Sequence, residues 1–157
     1  MSNSRTVIRS FHWLNSPEWN VAIFSFLLSF FWEVQQMPFY QVPSELSCFG
    51  MIRNCTLATV GDVGIVLTSF WVVAARSKSR QWVRQPSLRQ ISVFTLVGVL
   101  ITVIFEGLAT RWLGIWTYAD FMPIVPILGT GLLPLLMWLL IPPLIIWFVK
   151  RQLYHVR

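Results

Sequence analysis

Glu106-Gly-Leu-Ala-Thr-Arg111-Trp-Leu-Gly-Ile-Trp116-Thr-Tyr118-Ala-Asp120-Phe-Met-Pro123 interrupts two long apolar runs, and its reading decides the fold. Residues 90–105 before it and 124–149 after it carry no charged side chain. Crossing a bilayer takes about 20 predominantly apolar residues. Both runs therefore read as membrane spans, and the quoted stretch is the loop between them. It is dense in groups that do chemistry: a carboxylate at the end of one span, an arginine, two tryptophans, a tyrosine and an aspartate. Pro123 and Pro126 make a helix unfavourable there, so the stretch is expected to run extended or re-entrant at the membrane interface. Gly129-Thr130-Gly131 can open the next helix, with Thr130 as its cap.

The rest of the chain agrees. Of 157 residues, 55% are hydrophobic and 11% are charged, against about 25% charged in a soluble domain. So little charge cannot cover a surface facing water. The expectation is one polytopic domain over residues 1–157. Its fold class is all-α, a four-helix transmembrane bundle with spans near 20–37, 59–75, 90–110 and 130–149. Trp13 and Trp19 lead into the first span at headgroup level. No small-residue cleavage pattern follows that span, so it is read as retained rather than as a signal peptide. Pro38 is a natural stop for it. Thr59 can cap the second span, which places Asp62 in a first turn.

The positive charges set the orientation. Lys and Arg number two in the amino tail, one in the first loop, five in the second, one in the third and three in the carboxyl tail. By the positive-inside rule both termini and the second loop are cytoplasmic. The net charge of +6 thus lies in loops and tails, and no nucleic-acid partner is expected. The basic second loop reads first as an orientation signal, and secondarily as a site for anionic lipid.

Two polar stripes run along the spans. Ser25, Ser29, Glu33 and Gln36 share one helical face, and so do Thr95, Gly98, Thr102, Glu106 and Thr110. Lipid offers polar groups no partner, so both stripes are expected to face the bundle interior. Gly61, Gly64 and Thr68 form a small-residue face suited to close helix contact. Glu33, Asp62 and Glu106 fall at one depth, roughly 5–6 Å below the non-cytoplasmic interface. Ionisable groups inside a membrane point to function by default, although acids so near the headgroups can also serve only to fix helix packing. Crowded in a low-dielectric bundle, three carboxyls cannot all ionise. A protonated acid beside a carboxylate and aromatic rings suits proton donation and stabilisation of a carbocation.

Cys48 and Cys55 fall in a loop assigned to the oxidising side, where a short-loop disulfide is expected. No histidine falls on that side, since His12 and His155 are both in cytoplasmic tails, and no metal or other cofactor is expected. Nucleophile elbow, phosphate loop, dinucleotide fingerprint and zinc-protease helix are all missing from the sequence.

Glu33-Val-Gln-Gln-Met-Pro38, Gly61-Asp62 and Trp116-Thr-Tyr-Ala-Asp-Phe-Met-Pro123 together resemble small four-span bacterial inner-membrane proteins of unassigned function. That resemblance covers nearly the whole chain and implies the bacterial inner (plasma) membrane. A local resemblance, Glu106 followed by Gly114-Ile-Trp-Thr-Tyr118, is similar to membrane carotenoid enzymes of the lycopene-cyclase type. It covers about a dozen residues and stops before the last span, which contains no acid where those enzymes carry paired glutamates. What it implies is isoprenoid or lipid chemistry.

Three functions are open. The first is an enzyme on a lipid-like substrate, with Glu33 and Glu106 sharing acid and base roles and Asp62 tuning them. Gln36, Arg111, Trp116, Tyr118 and Asp120 would then contact the substrate. The second is a non-catalytic subunit of a larger membrane complex, packed through its Gly and Ser faces. The third is a proton or ion carrier, which ranks last because a relay needs acids throughout the bilayer.

Overall fold

In the computed structural model, residues 15–43 and 45–155 are described; the expectations placed on Trp13, His12 and the basic tail residues Arg5, Arg9 and Arg157 lie outside them. The described chain is mostly helical: α1 (Pro17–Gln36), α2 (Cys48–Ser77), α3 (Leu88–Gly107) and α4 (Leu132–His155). Three of these, α2, α3 with its continuation to Trp112, and α4, are long and apolar enough to cross a membrane.

Local chemistry explains each boundary. Pro17 stands in the first turn of α1, where its missing N–H costs nothing. Ser47 caps α2 by accepting from the Gly50 N–H at 3.2 Å, and Lys78 closes it in a left-handed conformation. Ser87 and Gln90 form a reciprocal capping box at the start of α3. Beyond Gly107 that helix widens into one π turn, Leu108–Trp112.

The helices pack as a square. α1 and α3 each lie against α2 and α4 and face one another across the diagonal. The core is built from Val21, Val66, Phe70, Val73, Phe94, Ile145, Ile146 and Val149. Trp82 and Val83, from a single turn in the loop between α2 and α3, insert into this core. The Trp82 ring lies 5.7 Å from both Phe70 and Phe94. On the α3 stripe one contact is steric: the Trp138 ring occupies the space a side chain at Gly98 would need.

The same loop uses two of its arginines structurally. Arg80 pairs with Glu18 of α1 at 2.6 Å and lies over the Trp71 ring. Arg84 donates to the Leu153 carbonyl at 3.0 Å, satisfying the last turn of α4.

Several expectations are corrected. α2 starts at Cys48, not near residue 59, because Ser47 provides a cap and Arg53 and Asn54 do not interrupt an otherwise helical run. Thr59 is therefore no cap; buried inside the helix, it donates back to the Cys55 carbonyl at 2.8 Å. Asp62 sits deep in α2, not in a first turn. Cys48 and Cys55 are both free. Seven residues of one helix separate them by about 10 Å along its axis, beyond the reach of a disulfide. Thr130 does not cap α4. It lies in β2 (Thr130–Gly131), which pairs antiparallel with β1 (Ile124–Val125), so the proline-broken segment is a small hairpin and the fold is not purely helical.

Alkylation without reductant should modify both cysteines, exposed Cys48 before buried Cys55. Mass spectrometry that finds the pair protected until reduction contradicts this geometry.

Candidate functional site

The π turn at the end of α3 sends the chain back over the end of the bundle, and the loop before α2 meets it there. The Gln41 N–H donates to the Thr117 carbonyl and the Ala119 N–H to the Phe39 carbonyl, both at 2.9 Å. These bonds flank an antiparallel bridge between Tyr40 and Tyr118. Thr117 Oγ1 adds a bond of 3.0 Å to Gln41 Oε1. Ring pairs Phe39–Phe121 (5.3 Å) and Tyr40–Tyr118 (5.5 Å) reinforce the pairing. Two loops far apart in sequence thus form one lid.

Beneath the lid lies Glu106, buried to 7% exposure. Its Oε2 accepts from the Tyr118 hydroxyl and from Trp116 Nε1 at 3.4 Å, and Tyr40 faces the same carboxyl. Tyr118 in turn accepts from the Gly131 N–H at 3.0 Å. A chain of donors therefore runs from the β2 backbone through the phenol to the carboxylate. Burial and then the bond to Glu106 push the Tyr118 phenol above its ordinary range. Burial and then the charges of Glu106 and Glu33 do the same to Tyr40. Both phenols stay protonated and keep their capacity to donate.

Glu33 and Asp62 complete the cluster. Both are within electrostatic reach of Glu106 and of each other. Glu33 Oε1 accepts from Gln36 Nε2 at 2.7 Å, and Gln36 accepts from Trp32 Nε1 at 3.1 Å. Asp62 Oδ2 is sealed from solvent and has no hydrogen-bond partner among the described residues. The helices can be levelled at one contact, Cys55 Sγ to Met37 Sδ at 3.9 Å. From there Glu33 is about 6 Å into the bundle and Asp62 about 10 Å, at 1.5 Å per residue. At the hollow lined by Ser29 and Val66, each four residues from its acid, the two are level, so Glu33 and Asp62 lie within about one turn of each other along the bundle.

Of the residues expected to contact a substrate, Gln36, Trp116 and Tyr118 are in this network. Arg111, in the π turn, donates to the Leu128 carbonyl at 2.8 Å. Its guanidinium fills the place of a side chain at Gly129, which adopts a positive φ of 61°. It thus ties the hairpin to α3 instead of reaching the acids. Asp120 is exposed on the turn after the bridge. Tyr40 was not anticipated. It falls just past the Pro38 stop, outside every helical stripe, and only its loop-to-loop pairing brings it to Glu106.

Among the described residues no group of His, Cys, Asp and Glu is arranged to hold a metal ion. Two hollows among the described residues are lined by none of the acids. One of about 330 Å³ is lined by Phe24, Trp147, Phe148, Arg151 and Gln152. A second hollow, too narrow for a water molecule, lies beside Ser29, Trp138 and Pro142. What the cluster offers chemically is a buried carboxylate with three aromatic neighbours, two further acids, and one acid oxygen without a partner.

Tyr118→Phe removes a donor from a buried carboxylate and an acceptor from Gly131. A loss of about 2–3 kcal/mol is expected, read as a lowered unfolding midpoint in detergent. Thr117→Val, at the lid's exposed surface, should cost less than about 1 kcal/mol. Equal losses for the two variants contradict the central place of Tyr118.

No family model, curated protein or solved structure matches this chain, so the geometry of the lid and its acids carries the functional reading.

Proposed function

We propose that the protein is a four-span membrane enzyme acting by acid and base chemistry on a lipid-like, isoprenoid-class substrate at the Glu33–Asp62–Glu106 cluster. α1 is the fourth span. Support for this is its inverted pattern: Asn20, Ser25, Ser29 and Gln36 are buried, while Trp19, Leu27 and Phe31 are exposed. A helix with polar residues inward and apolar residues outward suits lipid, not water. The charge alternation places both termini in the cytoplasm and the lid on the other side. The resemblance to small inner-membrane proteins points to a bacterial plasma membrane.

One observation carries the chemical reading: a buried Glu106 carboxylate, held by Tyr118 and Trp116, lies within electrostatic reach of two more acids. Glu33 and Glu106 come from opposite corners of the square, so they face a reacting group from two sides. One delivers a proton and the other accepts one. Tyr40, Tyr118 and Trp116 supply π faces that stabilise positive charge as it develops on a substrate carbon. Asp62, with its Oδ2 unpartnered among the described residues, sets the charge balance of the pair. Membrane lipids surround the site and supply the substrate.

Membrane lipid extracts from cells expressing the wild type and Glu106→Gln should differ in at least one isoprenoid or lipid species, at matched protein level. Identical extracts for the wild type, Glu106→Gln and cells without the protein contradict an enzyme of this class.

A second reading, an accessory subunit, rests on a separate observation. Gly61 and Gly64 on α2 are exposed, with nothing near the space a side chain would take. Such a face admits another helix closely. In a native gel of mildly solubilised membranes, Gly61→Leu/Gly64→Leu should shift the protein out of a larger assembly. Migration at monomer size for both wild type and variant rejects the subunit reading.

A further inference from the structure

The lid has an outer surface as well as an inner one, and it is apolar. Trp112 is 82% exposed, Leu113 67%, Ile115 62%, Phe121 63% and Ile127 96%. Between Trp112 and Leu128 the only charged side chain is Asp120. Fully exposed side chains of this size present about 150–250 Å² each, so the five leave on the order of 700 Å² uncovered. The largest apolar patch on a soluble monomer is about 300–600 Å².

This surface continues one already present. Along α3 the residues facing outward are Leu96, Leu100, Ile104, Phe105 and Leu108, all between 42% and 60% exposed. They form the lipid-facing ridge of a helix apolar enough to cross a membrane. The ridge passes through the π turn into Trp112 and Leu113 without a charged residue on it except Arg111. That arginine is turned aside to the Leu128 carbonyl, which also folds the Ile124–Gly131 hairpin back towards α3. A loop built to project into water has the opposite composition.

We infer that the lid lies in the acyl-chain boundary of the leaflet at its end of the bundle, and that the carboxylate cluster takes its ligand from the bilayer rather than from water. The ligand class that fits this route is an amphipathic lipid. Its chain lies in the leaflet and its reactive end passes beneath Tyr40 and Tyr118. The inference rests on the membrane reading above and deepens it: it fixes the side from which the site is approached. The phenols and Trp116 then act on a substrate already out of water, where each charge interaction with the acids is stronger.

The test places spin labels on the full chain in a Cys48→Ser/Cys55→Ala background, reconstituted in phosphatidylcholine vesicles. Ile127→Cys and Leu113→Cys report on the lid. Leu100→Cys reports on the α3 ridge and Gln85→Cys on the loop between α2 and α3. Collision with oxygen and with a water-soluble nickel chelate is measured at each. The expected result is that Ile127 and Leu113 behave like Leu100, with oxygen dominant. Nickel dominance at both, as at Gln85, overturns the inference while leaving the spans intact. Low collision with both reagents means a protein partner covers the lid, and also overturns it. Nickel dominance at Leu100 as well removes the membrane reading itself. A second arm treats the unlabelled vesicles with a hydrophobic carbodiimide and with a water-soluble one. An adduct on Glu33, Asp62 or Glu106 from the hydrophobic reagent alone is expected. A faster adduct from the water-soluble reagent, or none from either, overturns the route through the bilayer.

Discussion

A carboxylate at 7% exposure is costly without donors, and the bonds it accepts come from beyond α3, from Tyr118 and Trp116. The bond from Tyr118 to Glu106 is therefore the constraint around which this end of the molecule is arranged. To deliver Tyr118, the chain must leave α3 within a few residues and turn back over the bundle. The π turn at Leu108–Trp112 makes that exit, and Gly114 and Glu106's other donor, Trp116, follow on the returning strand. To keep Tyr118 in place, its neighbours Thr117 and Ala119 bond to the loop before α2, and its oxygen accepts from Gly131 at the start of α4. One side-chain contact thus brings together residues from both connecting regions at this end.

The opposite end is held by different means. There the connection between α2 and α3 is a plug, with Trp82 buried among Phe70 and Phe94 and its arginines tied to α1 and α4. One end is closed by apolar packing, the other by hydrogen bonds to buried acids. Aromatic burial of the first kind contributes several kcal/mol per residue, and polar closure contributes less per bond.

How much of this is legible in the sequence depends on the kind of signal. The helices of α3 and α4 are plain from their uncharged runs, and Glu33 and Glu106 face inward as their four-residue steps require. The two faces of α1 also follow from spacing. What spacing does not carry is pairing between loops. Tyr40 and Tyr118 are joined by backbone bonds that any residue can make, so nothing in either segment announces the other. The start of α2 was hidden for a related reason. Arg53 and Asn54 look like loop residues when charge is used to end a span, yet a helix capped by Ser47 simply continues past the membrane's apolar zone. With the start placed near residue 59, Asp62 falls in a first turn and the two cysteines in the loop, whereas all three lie inside α2.

The lid joins segments made at very different times during synthesis. Gln41 and Thr117 lie 76 residues apart in the chain, with α2, the Trp82 turn and α3 between them. At about 5–20 residues per second of translation, several seconds separate their emergence. On the proposed topology the first hairpin therefore enters the membrane carrying Glu33 and Asp62 with neither lid nor Glu106 yet in existence. The acids of α1 and α2 must be tolerated in that half-built state by water at the membrane surface or by the insertion machinery. Maturation of the site is then the last event of biogenesis, complete only when the second hairpin arrives and Tyr118 reaches its carboxylate.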